Sequence, residues 1–415
     1  MSNQILKSQA DTFNGNYGSK WLKELENAAP DILSPQGAKS AIGSQVYNIQ
    51  YLAPATTSRT SFSAFTDTYQ IPSTFGWLSH VYISFIPTQD SSNAYTANVA
   101  MNAIKYITVK NGSNVLCQYD YATVNRYCLR RLDISIRSRL MELAGAAAAA
   151  PGLVCAPIWL PFANISSNRE IDKYLFLGGL SSPLTIEIQF DVSTGLSAGT
   201  VAYTDMRLWY GTIESNALPN DEVGKQITAQ FERPFVMTNW LTLENLSGAL
   251  PTNTQRTDNI SSLSGILTEI EAQDVLVSNY DHATARNRIT QEQDIDTCYL
   301  SVNNSNYNQV ASGSNLEPVL QMMTLLTSGQ NAGKNLVVQG TTVSDLGSGT
   351  VCEFSGSLDS ALGADFLAGF LNTSGSSQRN MIIRHQDGAN AYISYCAAVY
   401  QLCARDSSNN WSIVN

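Results

Sequence analysis

Charge is scarce in this chain. Of its 415 residues only 14% are charged, against roughly 25% in an ordinary soluble domain. The 24 Lys and Arg are outnumbered by 34 Asp and Glu, for a formal net charge of −10. That balance argues against extensive or sequence-specific contact with nucleic acid, which needs clustered cations. Histidine is rarer still: His80, His282 and His385 are the whole complement, and none stands in an HExxH, HxH or other ligand spacing. No Walker A loop or GxGxxG occurs, so the motifs that carry phosphate cradling and dinucleotide binding are missing. We assign no catalytic, cofactor-binding or metal-binding residue.

Paired cysteines are also lacking. Cys117, Cys128, Cys155, Cys298, Cys352, Cys396 and Cys403 are odd in number and include no CxxC, a pattern of neither a zinc site nor a disulfide framework. Several fall in apolar runs such as AYISYCAAVYQLCA. Buried thiols of a protein folded in a reducing compartment are expected. The opening MSNQILKSQADTFNGNYG has no basic stretch leading into an apolar core, so no secretory signal is expected. The sequons at Asn111, Asn164 and Asn372 then read as chance in an Asn- and Ser-rich chain. One uncharged run has the length of a bilayer, Leu143 to Ala163, but it holds Pro151, Pro157 and Pro161. Three prolines break the helix a span requires, so a loop leading into a short buried strand is expected.

Two clusters deserve weighing. Arg126, Arg130, Arg131, Arg137 and Arg139 lie within fourteen residues. Phosphates, lipid headgroups or a neighbour's acidic patch could meet them; local carboxylates are the plainer partners. Asp294 and Asp296 in QEQDIDTC could be half a calcium site or an acid/base pair. Without the dense oxygen spacing of a calcium loop they read as solvated carboxylates at a strand entry, as does EIEAQD (269–274).

What the chain does contain is alternation. In SPLTIEIQFDV (182–192), Leu184, Ile186, Ile188 and Phe190 point one way and Thr185, Glu187, Gln189 and Asp191 the other, the period of a strand with one buried face. SQVYNIQYL, HVYISFIP and TDMRLWYGTI alternate likewise, and IKYITVKNGSNVLCQYD places Asn111-Gly112 between two such arms, a hairpin signal. RLDISIR (131–137) reads as a strand running into the helical RSRLMELAGA. The second half offers AQFERPFVMTNWLTLEN, GILTEIEAQDVLVSN, DTCYLSVNN, NLVVQG, TVCEFSG, NMIIRHQ and NAYISYCAAVYQLCAR as strands, the second of which could instead be a helix, with a further helix over SLDSALGADFLAGFLN (357–372). Residues 1 to about 28 read as an amphipathic helix, with Phe13, Tyr17, Trp21 and Leu25 at steps of four. The expected fold is mainly β: an N-terminal arm (1–43), a first jelly-roll sandwich (44–215) and a second (216–415).

The segments VKNGSNVLCQYD (109–120), APIWLPFANISSNREIDKYLFLGGL (156–180) and SPLTIEIQFD (182–191) resemble the double jelly-roll major capsid proteins of icosahedral double-stranded DNA viruses, the lineage of tectivirus, adenovirus and the large eukaryotic DNA viruses. The Cys-Arg-Asn-Pro-Gly run of large-virus members is absent, the loop before Pro183 differs, and the second half matches only in architecture. The resemblance implies a structural virion protein with no enzymatic role, assembled in the host cytoplasm as a homotrimeric capsomer whose six jelly rolls form a pseudo-hexagonal tile. It implies neighbouring capsomers, penton and minor capsid proteins as partners. In membrane-containing members the N-terminal arm lies near an internal viral membrane. The rival reading from composition is an exported or cell-surface β-sandwich, a carbohydrate-binding protein or glycoside hydrolase. A capsid protein of another lineage is a third.

Overall fold

The computed structural model describes residues 45–55, 65–89, 97–132, 134–145, 152–161, 175–190, 201–215, 225, 235–244, 248–251, 254–263, 266–277, 295–307, 352–355, 371–372, 378–385 and 390–414. The first half runs β1 (Gln45–Leu52), β2 (Phe65–Ile71), β3 (Gly76–Gln89), α1 (Val99–Asn102), β4 (Ile104–Asn111), β5 (Asn114–Asp120), α2 (Tyr121–Arg131), α3 (Ile134–Leu143), β6 (Val154–Ile158), β7 (Leu175–Phe176), β8 (Leu184–Phe190) and β9 (Val201–Ser215). The second runs β10 (Phe235–Glu244), β11 (Gln255–Asn259), β12 (Ile266–Leu276), β13 (Ile295–Val302), β14 (Ser305–Tyr307), β15 (Cys352–Ser355), β16 (Leu371–Asn372), β17 (Arg379–His385), β18 (Ala391–Arg405) and β19 (Trp411–Val414).

Pairing is antiparallel and nested. One sheet has the order β1-β9-β3-β6, with β7 added on β3, and its companion the order β2-β8-β4-β5. The second half repeats this: β10-β18-β12-β15, with β16 on β12 and β19 on β18, and β11-β17-β13-β14. In the first half the first strand pairs with the last and the second with the second-to-last; in the second half β10 pairs with β18 and β11 with β17 in the same way, the winding of a jelly roll. The chain therefore carries two jelly rolls in tandem. Among the described residues no strand crosses between them: the first two sheets end at Ser215 and the others begin at Phe235.

Alternation builds the cores. On β8, Leu184, Ile186, Ile188 and Phe190 are buried, while Thr185, Glu187 and Gln189 are half-buried. The opposed sheets meet through Phe190, which packs edge-on to Phe85 of β3 and tilted against Tyr203 of β9. Each fully buried Leu, Ile or Phe side chain contributes about 1.5–3 kcal/mol. The second roll has its own cluster, including Ile270, Ala272, Met381, Ile383, Ile393, Tyr395, Ala397 and Val399. From the run Leu143–Ala163, β6 emerges as a short strand with Val154, Ala156 and Ile158 buried.

The β4–β5 hairpin forms one residue later than the Asn-Gly pair implies. Asn111 pairs with Asn114, so the loop is Gly112-Ser113, with Gly112 at φ +60°; a two-residue turn with glycine first is the primed type that matches strand twist. Its counterpart in the second roll, β13–β14, turns through Asn303 and Asn304, both at positive φ.

Two expectations need correction. RLDISIR is not a strand: Arg131 closes α2, and Ile134 to Arg137 open α3. The alternating isoleucines mislead because the buried set follows helical spacing instead, with Arg137, Leu140 and Met141 half-buried, Ala144 buried and Ile136 exposed. α2 itself begins where β5 ends because the Asp120 carboxylate accepts from the Thr123 backbone N–H at 2.8 Å, an N-cap. At the end of the helix expected over 357–372, Leu371 and Asn372 form β16, paired to Ile266 and Leu267. The rest of that segment, NLVVQG and the N-terminal helix of 1–28 lie outside the described residues.

Candidate assembly surfaces

From Tyr121 to Leu129 every residue of α2 is buried, and a helix buried all round must have a partner on each side. On one side lies its own roll. The Tyr121 hydroxyl donates to the Pro157 carbonyl, and Asn125 accepts from the Trp159 indole at 2.8 Å. On the other side lies the outer face of the second roll's larger sheet. Arg126 Nη2 donates to Ser394 Oγ at 3.1 Å, and Gln273 Nε2 reaches the Thr123 carbonyl at 3.4 Å. β5 and β4 extend the contact along β10. The Tyr119 ring meets Trp240 edge-on at 5.7 Å, the Asp120 N–H donates to Thr242 Oγ1 at 3.0 Å, and the Tyr106 hydroxyl donates to Glu244 at 2.8 Å.

Strand register gathers these second-roll residues on one face: Thr242 is opposite Cys396, and Cys396 is opposite Glu271. Trp240, Cys396, Ala398, Glu271 and Gln273 are at most 2% exposed. EIEAQD is thus not a solvated pair of carboxylates: Glu271 is fully buried and accepts from Gln273 Nε2. A buried charge is costly unless compensated, and the junction holds Arg126 as well, 2% exposed.

A second contact grips the turn between β18 and β19. Asn111 lies at the end of β4 with its side chain buried. Its amide donates to the Ser182 and Pro183 carbonyls at 2.9 and 3.3 Å, and its oxygen accepts from the Trp411 N–H at 2.6 Å. The Trp411 indole donates to the Phe176 carbonyl at 3.0 Å. Asn114 donates to Asp406 at 2.6 Å, and the Ser182 N–H donates to Asn410 Oδ1 at 3.1 Å. The Asn410 N–H, the Asn114 amide and the Ser408 N–H together hold the Asp406 carboxyl below its ordinary pKa. A buried Asn111 is no glycan acceptor, in keeping with its sequon being accidental.

Among the described residues nothing covers the first roll's equivalent outer face. On β1 the polarity is inverted. Asn48 and Gln50 point inward to Glu214 and Tyr210, whereas Tyr47, Ile49 and Tyr51 point out and are 48%, 51% and 53% exposed. Register continues the row across the sheet: Tyr51 is opposite Trp209, and Trp209 is opposite Tyr82. The Tyr82 and Trp209 rings stack 7° from parallel, Tyr51 tilts onto Trp209 at 5.1 Å, and the Arg207 guanidinium sits 4.9 Å over Tyr51 while paired with Asp205. Beside them His80 Nε2 meets the Tyr47 hydroxyl at 2.7 Å, and desolvation lowers the His80 pKa.

Of the five arginines close together in the sequence, the three with described side chains are dispersed. Arg126 is in the junction, Arg137 is half-buried, and Arg139 is exposed and pairs with Glu142 one turn on; the Arg130 and Arg131 side chains lie outside the described residues. Cys117, Cys128, Cys396 and Cys403 are buried thiols and Cys155 is half-buried. Burial pushes the Cys117 and Cys403 thiols far up. His385 and Asp296 fall in strands without described side chains; His282 and Asp294 lie outside the described residues. Among the described residues no three His, Cys, Asp or Glu groups gather as a metal would require, and no helix is long and apolar enough to cross a membrane. Sequence reasoning missed both contact surfaces. The legible signal for one was the D-Y-A-T cap at the strand end, and for the other the apolar outward set of β1.

No family model matches the chain, and no curated protein matches it. In three dimensions a chain of the PBCV-1 virus capsid superimposes with a TM-score of 0.63 at 11% identity, over 90% of this chain and 97% of that one. The Faustovirus major capsid protein gives 0.55 at 9% identity, covering 86% and 90%. The mavirus major capsid protein gives 0.51 at 9% identity, covering 88% and 90%. At these identities the likeness establishes a shared fold, the double jelly roll, over nearly the full length of each chain.

Proposed function

We propose that this chain is a major capsid protein, a structural subunit of an icosahedral double-stranded DNA virion with no reaction to catalyse. The observation that carries the reading is the pairing of two complete jelly rolls through one dry junction, an arrangement whose nearly full-length likeness includes the major capsid proteins of Faustovirus and mavirus. The functional unit is a homotrimer in which six rolls make a pseudo-hexagonal tile. The arm is residues 1–43, the first roll 44–215 and the second 216–415. Neighbouring capsomers, penton and minor capsid proteins are its partners, with the arm turned towards the capsid interior and any internal membrane. Assembly takes place in the host cytoplasm. Low charge and buried thiols support this: such a surface suits edge-to-edge packing, and such cysteines suit a reducing compartment.

Sedimentation of the purified protein tests the reading. A trimer independent of concentration, with pseudo-sixfold outlines in negative stain, is the expected result; a stable folded monomer would refute it. Thiol titration of the denatured chain without reductant is expected to count all seven cysteines, whereas disulfides would favour export.

A further inference from the structure

Asn111 is followed by a glycine, and an Asn-Gly pair carries a reaction of its own. The glycine's backbone nitrogen attacks the asparagine side-chain carbon Cγ. A new C–N bond closes a five-membered succinimide, the bond from Cγ to Nδ2 breaks, and Nδ2 leaves as ammonia with the proton that the glycine nitrogen gives up. Water then opens the ring at either carbonyl, leaving aspartate or isoaspartate. Glycine favours the attack because no side chain shields its nitrogen. The chain holds one other such pair, Asn14-Gly15. At residues 111 and 112 the fold calls for both members. Asn111 acts as donor to the Ser182 and Pro183 carbonyls and as acceptor from the Trp411 N–H. Gly112 has φ +60°, and a Cβ there would lie 2.9 Å from Asn410 Nδ2 and 3.3 Å from Ser182 Oγ. The clamp is thus built on the reactive pair.

We infer that Asn111-Gly112 is a latent self-modification site that the second roll keeps shut, and that its deamidation bars the two rolls from closing again. The second roll covers both residues of the pair: the Trp411 N–H holds the Asn111 oxygen at 2.6 Å, and Asn410 packs against Gly112. Attack turns the planar Cγ tetrahedral, which hydrogen bonds in three fixed directions oppose. Pairing of Asn111 with Asn114 on one side and Leu184 on the other fixes its backbone as well. Asn111 is fully buried, so the water of the second step is also kept away. The reaction then proceeds only from molecules whose clamp has opened. Its product does not fit the closed clamp. Where Nδ2 donated to two carbonyls, a carboxylate brings a charged oxygen without a proton against the same two acceptors, and a buried charge so placed is costly. Isoaspartate adds a methylene to the backbone of β4 besides. Opening is reversible while residue 111 is an amide and permanent once it is an acid. The inference depends on the clamp alone and stands apart from the capsomer reading.

Peptide mass spectrometry of the full-length protein, held at neutral pH either folded or unfolded in guanidinium, tests the protection. In guanidinium Asn111 should convert from amide to acid at a rate comparable to that of Asn14. In the folded protein it should convert at least about tenfold more slowly than in guanidinium. Equal rates at Asn111 under the two conditions would overturn the inference. Asn111→Asp makes one of the two products directly, and Asn111→Leu, which brings no charge, is its control. At neutral pH the Asp variant should unfold at a lower urea concentration than the Leu variant. The gap should narrow in acid, where the protonated carboxyl donates to one of the two carbonyls. An Asp variant no less stable than the Leu variant at neutral pH would overturn the barrier to closing. Wild-type protein aged in guanidinium gives a readout that needs no variant. After dilution, the refolded fraction should be depleted of chains converted at Asn111; equal conversion in the refolded and unfolded fractions would again overturn that barrier.

Discussion

Asn111 serves both rolls through one amide. Its nitrogen holds the Ser182 and Pro183 carbonyls of its own roll, and its oxygen receives the Trp411 N–H of the other. Asn111→Leu keeps the side chain's size and removes all three bonds. Each buried group left unsatisfied costs about 1–3 kcal/mol, so the urea midpoint should fall by an amount worth at least one such group; an unchanged midpoint would show that water takes over the lost bonds. Asp406 makes a pH prediction. Its folded pKa is depressed, so it contributes stability above the unfolded carboxyl value and loses it as the pH falls through the folded one. Asp406→Asn should therefore melt below wild type at neutral pH, and the gap should close in acid. A gap that persists at the lowest pH would mean the carboxylate's charge is irrelevant. Asn111 stood out in the sequence as a hairpin residue and a sequon but not as a clamp, because the Trp411 N–H it receives lies 300 residues away, and Asp406 did not stand out at all.

The strands were largely legible; of the first roll's helices α3 was, through RSRLMELAGA, and α2 was not. β8 declared itself because one face is entirely core, leaving its alternation unbroken across Leu184, Ile186, Ile188 and Phe190. For the same reason Ile186→Ala, at a fully buried position, should cost about 2–5 kcal/mol in denaturant unfolding; a loss under 1 kcal/mol would mean that the core collapses around the gap. α2 concealed itself because its polar and its apolar residues alike are buried from Tyr121 to Leu129, so no solvent-facing side marks it. Its one local marker is the cap. Asp120→Ala should cost about 1 kcal/mol, and Asp120→Asn, which keeps an acceptor, should recover most of it. Equal losses in the two variants would point to the carboxylate's charge instead of its hydrogen bond. β19 was missed because four residues after a polar turn carry too little pattern, and its place is set by pairing with Leu402 to Arg405.

Two rolls with separate sheets could unfold separately, but the junction joins them through a buried helix and the Trp411 clamp. A single transition is expected, with tryptophan fluorescence and far-ultraviolet circular dichroism coincident in guanidinium; two resolved steps would show that the junction is weaker than either core. The tandem-roll plan was readable from the order of strands. The identity of the covered and uncovered sheet faces was not, because Trp240 and Tyr51 both sit in alternating strands and differ only in whether the chain's other half lies over them. The clamp also orders events in time. Asn111 and Trp411 are 300 residues apart, and a ribosome adding about 5–20 residues per second takes on the order of 15–60 s to travel between them. The first roll must therefore wait, folded around an empty socket, until translation delivers the segment that fills it.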